Sequence, residues 1–162
     1  MAYAPNIGEI MVNIPKQNLR TPGPTPVPSD IVEAMSNPMI DHRGPEFLEI
    51  ITAATEQLKQ VFMTTNDLFI LTASGTGALE AAIVNTLSPG DKVLSASAGS
   101  FGDRFTEMAE TYGAEVHRLN FAWGSPIEPA ANRSALHADP GTQAVLVTHN
   151  QTYTVVTHPP HA

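Results

Sequence analysis

LFILTASGTGALEAAIVNTL, residues 68–87, is the stretch that decides how the chain is read. Residues 68–72 form a short apolar run with the length of a buried strand. Residues 73–77 are small and include Gly75 and Gly77. Residues 78–87 return to helical spacing, with Leu79, Ala82, Ile83 and Leu87 on one face. A strand that breaks at glycines into a helix leaves backbone N–H groups unpaired at the helix start. Those donors, the helix dipole and the hydroxyls of Ser74 and Thr76 suit an anion, most often a phosphate. The same residues equally suit a tight turn in which Ser74 or Thr76 merely caps the helix. No G-x-G-x-x-G dinucleotide fingerprint is present, and no Gly-Lys-Ser/Thr follows as in a Walker loop.

Downstream, the turn SPGD leads to a predicted strand at 92–96, then a small-residue loop at 97–102 that carries Phe101. A helix is predicted over 103–112, with Gly113 ending it, then a strand over 115–120. Residues 121–129 read as a loop with the only tryptophan, Trp123. A short helix over 130–138 stops at Asp139-Pro140-Gly141, a strand follows over 144–148, and residues 149–162 read as irregular. Strands and helices thus alternate from residue 68 onward. Such alternation gives an α/β fold in three layers, a mainly parallel sheet flanked by helices. Ligands of such sheets bind beyond the carboxyl ends of the strands. Three loops fall in such places: 74–77, 98–101 and 149–154.

Upstream, prolines at 5, 15, 22, 24, 26 and 28 rule out a regular helix, so residues 1–29 read as an extended arm. A disordered tail fits the same composition. Asp30 is placed to cap a short helix over 31–36, with Glu33 completing a capping box. Asp41, His42 and Arg43 share the loop NPMIDHRG, either as a carboxylate site built on Arg43 or as a solvated ion pair. Residues 45–63 read as a long helix opened by proline, with Phe47, Ile50, Ile51, Ala54, Leu58, Val61 and Phe62 on its apolar face.

Composition narrows the function. The 162 residues are a common single-domain size, and 42% of them are hydrophobic. A net charge of −8 argues against nucleic-acid binding, which needs a basic footprint. It leaves room for a small anion held by local donors. No apolar run spans a bilayer and no signal peptide is evident, so the reading places the protein in the cytoplasm, off the membrane. Zero cysteines excludes disulfides and thiolate chemistry. The six histidines show no metal-ligand spacing, and no metal is expected. A Gly-x-Ser-x-Gly elbow is absent, against a serine hydrolase.

Taken together, five ordered stretches resemble the N-terminal part of class V, fold-type I, pyridoxal-phosphate aminotransferases, in the alanine–glyoxylate and serine–glyoxylate (serine–pyruvate) branch. They are TPGPTPVPSDIVEAM (21–35), PMIDHRGPEF (38–47), TASGTGALEAAIVNTLSPGDKVL (72–94), AGSFGDRF (98–105) and VTHNQT (147–152). The resemblance implies that Ser74, Gly75 and Thr76 cradle the phosphate of pyridoxal 5′-phosphate and that Phe101 stacks on its ring. It implies further that Thr152 contacts the ring region, and that Gly23 lies near the carboxylate of an amino-acid substrate. It makes residues 30–162 the N-terminal part of the cofactor-binding large domain, behind the arm of 1–29. The family's homodimer, and amino transfer from an amino acid to a 2-oxo acid such as glyoxylate or pyruvate, come with it.

The chain departs from the family pattern at three positions of one loop. Gln151 stands where an acid is usual, Tyr153 where a small residue is usual and Val155 where a glycine is usual. The resemblance also implies that the ring-nitrogen aspartate, the Schiff-base lysine and the C-terminal small domain lie beyond residue 162. Lys16, Lys59 and Lys92, the three lysines present, match none of these roles. The 162 residues alone are therefore expected not to transaminate. The alternatives are a non-catalytic short form that binds phosphate compounds or pairs with a longer subunit, or the product of an incomplete gene.

Overall fold

The computed structural model describes residues 18–158. Most of the arm, with Lys16, and the last four residues lie outside the described residues. The chain divides between Met39 and Ile40 into two compact units. In the first, helix α1 spans Ser29–Met35. The expected capping box does not form. Pro28 takes the cap position and its carbonyl accepts from the Val32 amide at 3.1 Å, so Asp30 sits inside the first turn with no capping bond. A carboxylate there still meets the positive end of the helix dipole.

The second unit opens with α2, Pro45–Val61, and continues through α3, Gly75–Thr86, and strand β1, Lys92–Ser97. Then come α4 (Ser100–Thr111), β2 (Glu115–Asn120), α5 (Pro129–Ala138) and β3 (Ala144–Val147). Two short strands follow, β4 (Asn150–Gln151) and β5 (Val156–Thr157). The main sheet has the order β2-β1-β3, and both pairings are parallel. Its register sets Val93 beside Val116 and Ala144. Helices lie on both faces, as expected for a three-layer α/β fold.

Alternation along β1 sorts its residues between the layers. Val93 joins Ile83 of α3, Ala109 of α4 and Leu146 of β3 in one core cluster. Ala96 and Ala98 pack with Ile127 in a second. Ser95 and Ser97 turn toward α4. The Thr106 hydroxyl donates to the Gly102 carbonyl at 2.8 Å, so its oxygen accepts from Ser95 at 2.6 Å. Each buried hydroxyl thereby finds a partner, which removes the desolvation penalty of burying it.

Glycine is required at the end of α4. Gly113 has φ +88° and lies in a Schellman turn, its amide donating to Glu110 and the Ala114 amide to Ala109. The same turn ends α2 with a non-glycine: Met63 holds φ 50° while its amide donates to Gln60 and that of Thr64 to Lys59.

Several boundaries differ from the sequence reading, the largest at residues 68–72. They form no strand. Among the described residues no neighbour offers them a ladder, and Phe69, Ile70 and Leu71 are exposed. An apolar run supplies side chains for a strand, but only a hydrogen-bonded neighbour makes one. The apolar face of α2 is likewise half covered. Phe47, Ile51, Ala54 and Leu58 are half-buried, whereas Ile50, Val61 and Phe62 are exposed. Helix α4 starts at Ser100, three residues earlier than expected, so Phe101 belongs to its first turn and not to a loop. Residues 149–158, read as irregular, contain the antiparallel pair of β4 with β5.

Candidate phosphate and ring site

Helix α3 begins directly after Ser74, whose backbone is extended and whose hydroxyl accepts from the Gly77 amide at 3.4 Å. The capping role foreseen for Ser74 is therefore occupied, although by a long bond. The amides of Gly75 and Thr76 make no intrahelical bond at such a position. A side chain at Gly75 would meet nothing within 4 Å, so the helix start opens onto free space. The donor set there, amides plus the Ser74 and Thr76 hydroxyls, is that of an anion site.

A cation completes it. Arg104 donates from one guanidinium nitrogen to Thr76 Oγ1 at 3.2 Å, bridging α4 to the start of α3. Its guanidinium carbon also lies 5.6 Å from the centroid of the Phe101 ring, within cation–π range. Phe101 and Arg104 are three residues apart on one helix and so share a face. Phe101 is in turn stacked with Tyr153 of the β4–β5 turn, with ring centroids 5.9 Å apart and planes at 24°. The three loops singled out from the sequence are thus linked by one chain of contacts: Thr76, Arg104, Phe101, Tyr153.

Gln151 of β4 is buried against Gly99. Its side-chain oxygen would stand 2.6 Å from a β-carbon placed on Gly99. Gly99 is required here for close approach, since its φ of 170° is ordinary extended backbone. Gln151 Nε2 and Thr154 Oγ1 are buried and have no hydrogen-bond partner. Thr152 lies exposed in the turn between β4 and β5, and among the described residues its side chain makes no hydrogen bond. Gly23 belongs to the first unit, where it precedes Pro24 and is exposed.

The lysines of the described residues do not serve this site. Lys92 opens β1 at the end opposite the ligand loops, and its ammonium donates to Asp139 Oδ2 at 2.8 Å. That hydrogen bond raises its pKa and holds it protonated, the wrong form for imine chemistry. Lys59 pairs with Glu56 on α2.

His158 directly follows β5, and its backbone amide donates to the His149 carbonyl at 2.8 Å. Its ring is buried and its Nδ1 accepts the Ile127 amide at 3.1 Å, which fixes that nitrogen as unprotonated. Burial, and secondarily the nearby His149, hold its pKa below the usual 6.5. An unfolded chain takes up this proton first as pH falls, so stability is full above about pH 6.5 and declines toward the lower folded-state pKa. His158→Asn is expected to flatten that slope. Denaturant midpoints followed from pH 7.5 down to about 5 check it. Among the described residues, no three histidine, aspartate or glutamate side chains gather as metal ligands, and no helix is long and apolar enough to cross a membrane.

Sequence reasoning missed Arg104 and Tyr153 as members of the site. The spacing of Arg104 from Phe101 was a usable signal. Tyr153 was visible only as a departure from a small residue.

The parallel α/β sheet thus carries a set of anion donors at the start of α3 and an aromatic ring in the first turn of α4. The chain belongs to the aminotransferase class-V family, whose model matches residues 18–160. An L-aspartate–glyoxylate aminotransferase of Paracoccus denitrificans is 41% identical over 83% of this chain and 35% of its own length. A protein of Synechococcus named soluble hydrogenase, small subunit, is 42% identical over 87% of this chain and 37% of its own. The crystal structure of an alanine–glyoxylate aminotransferase from Nostoc superposes with a TM-score of 0.81 at 33% identity, over 86% of this chain and 37% of that one. The chain therefore spans little more than a third of the length of these relatives. Pyridoxal phosphate is the cofactor that the family implies. The free amides at the start of α3 with Arg104 beside them, and the aromatic ring of Phe101 next to these, are donor and ring groups of the kind its phosphate and pyridine ring need.

Proposed function

We propose that this chain forms the phosphate-and-ring half of a pyridoxal-phosphate site in an aminotransferase that uses a 2-oxo acid, glyoxylate first, as acceptor. The start of α3, open at Gly75 and joined through Arg104 to the Phe101 ring, carries this reading. Ser74, Gly75 and Thr76 hold the phosphate, Phe101 meets the ring, and Thr152 reaches it from the β4–β5 turn. Gly23 serves the substrate carboxylate. Residues 30–162 are then the first part of a large cofactor-binding domain, preceded by the arm of 1–29, in a cytoplasmic homodimer. When bound, the cofactor supplies the electron sink for amino-group transfer. This chain's own part is to bind and orient it. Glyoxylate is the acceptor shared by the names of the Paracoccus and Nostoc proteins, while their amino donors differ.

Gly75→Asp tests the cup without disturbing the fold. The new side chain meets free space, and a carboxylate in the first turn of a helix is favourable. It also places a negative charge where the phosphate is to sit. Binding of inorganic phosphate and of pyridoxine 5′-phosphate is expected to weaken at least about fivefold with the melting temperature unchanged, a like charge at this range costing about 1–4 kcal/mol. Equal binding by the two proteins would refute the cup.

A further inference from the structure

We infer that Tyr153 is a gate on the ring site: it covers the Phe101 face that a ring ligand needs, and must swing out before that ligand binds. The inference rests on the phosphate-and-ring reading given above. Three observations carry it.

The first is the stack itself. With centroids 5.9 Å apart, the Phe101 and Tyr153 rings are in mutual contact. A third ring between them would need about 3.5 Å on either side, roughly 7 Å in all. No ring fits between them as they stand, so a ligand ring reaches that face of Phe101 only after Tyr153 leaves it.

The second is that Tyr153 is free to leave. It is 68% exposed, whereas Phe101 is half-buried in the first turn of α4. The tyrosine rides on a short turn between strands of two residues each. That turn holds Val155, a β-branched residue, at φ 58°, a conformation that L-residues rarely adopt. Backbone held in this way is strained and is characteristic of ligand clamps and switch segments.

The third observation is polar. Gln151 Nε2 and Thr154 Oγ1, flanking Tyr153 in sequence, are buried without partners in the stacked arrangement. Native proteins leave few such groups unsatisfied. A hydroxylated pyridine ring carries acceptors and donors of the kind these two groups lack.

The test uses two probes on the full chain and its Tyr153→Ser and Tyr153→Phe variants. Pyridoxine 5′-phosphate has the ring and the phosphate but no aldehyde, so it forms no imine with any lysine. Inorganic phosphate has no ring. Calorimetric titration is expected to show pyridoxine 5′-phosphate binding about 2- to 10-fold tighter to Tyr153→Ser, the worth of one aromatic stack. Tyr153→Phe, which keeps a ring, should match the unsubstituted chain. Inorganic phosphate should bind all three alike. If Tyr153→Ser binds pyridoxine 5′-phosphate equally well or more weakly while phosphate binding persists, the gate is refuted and the phosphate cup stands. Weaker binding would identify Tyr153 as a clamp that holds the ring. If neither probe binds any of the three proteins, the cup itself fails and the gate with it.

Discussion

Ile83→Ala is expected to lower the unfolding free energy by about 2–5 kcal/mol, the largest loss from any single truncation considered. Ile83 is 1% exposed and is the one fully buried side chain of α3. It joins Val93 of β1, Ala109 of α4 and Leu146 of β3, and so ties α3 to the sheet. Removing three carbons forfeits their transfer energy and leaves a cavity between elements too rigid to close on it. A small domain has a total stability of about 5–15 kcal/mol, so the loss is a large share of it. Urea titration followed by circular dichroism measures the effect. An Ile83→Val control should cost only about 0.5–1.5 kcal/mol. Comparable losses in both variants would show that α3 is not anchored through this side chain.

Gly102→Ala is expected to cost about 1–3 kcal/mol by overpacking. A β-carbon there would lie 2.5 Å from Ser97 Oγ, 3.0 Å from Ser97 Cβ and 3.2 Å from Ser97 Cα. The Ser97 hydroxyl cannot simply turn aside, because it is bonded to Asp103 Oδ1 at 2.6 Å. Relief has to come from moving α4 away from β1. Phe101 and Arg104 ride on that helix, so the displacement spreads to the ring and to the bond with Thr76. The expected signature is a double one: a lower melting temperature, and weaker binding of pyridoxine 5′-phosphate by the fraction that still folds. The double variant Gly102→Ala with Ser97→Gly opens the contact from the other side and should recover part of both losses. Unaltered stability in Gly102→Ala alone would mean that the close approach is not required.

The alternating core of the fold was readable from the sequence because local signals were consistent there. Glu115–Asn120 is a strand over the predicted span, and Gly113 ends α4 in a left-handed turn. Both features depend on residues within one element and its cap. The failures share another origin. Phe69, Ile70 and Leu71 have the composition of a strand but no ladder partner among the described residues. Asp30 lost the cap because Pro28 starts the helix earlier. The pairing of Asn150 with Thr157 and of Gln151 with Val156 joins residues that no period marks. At the site, Ser74 and Thr76 announced a helix start by themselves. Arg104 and Tyr153 became visible only when tertiary packing brought α4 beside α3 and the β4–β5 turn onto Phe101.

The two edges of the main sheet differ in kind, and the difference gives the molecule a direction of growth. On β2 the exposed positions are Glu115, His117, Arg118 and Asn120, a polar and partly charged border that discourages another strand. On β3 they include Val145 and Val147, 43% and 42% exposed, and among the described residues β3 pairs only with β1. A strand arriving from elsewhere therefore meets a repelling border on one side and a hospitable one on the other. Of the two borders, the apolar one beside β3 is the one that would tolerate a further strand.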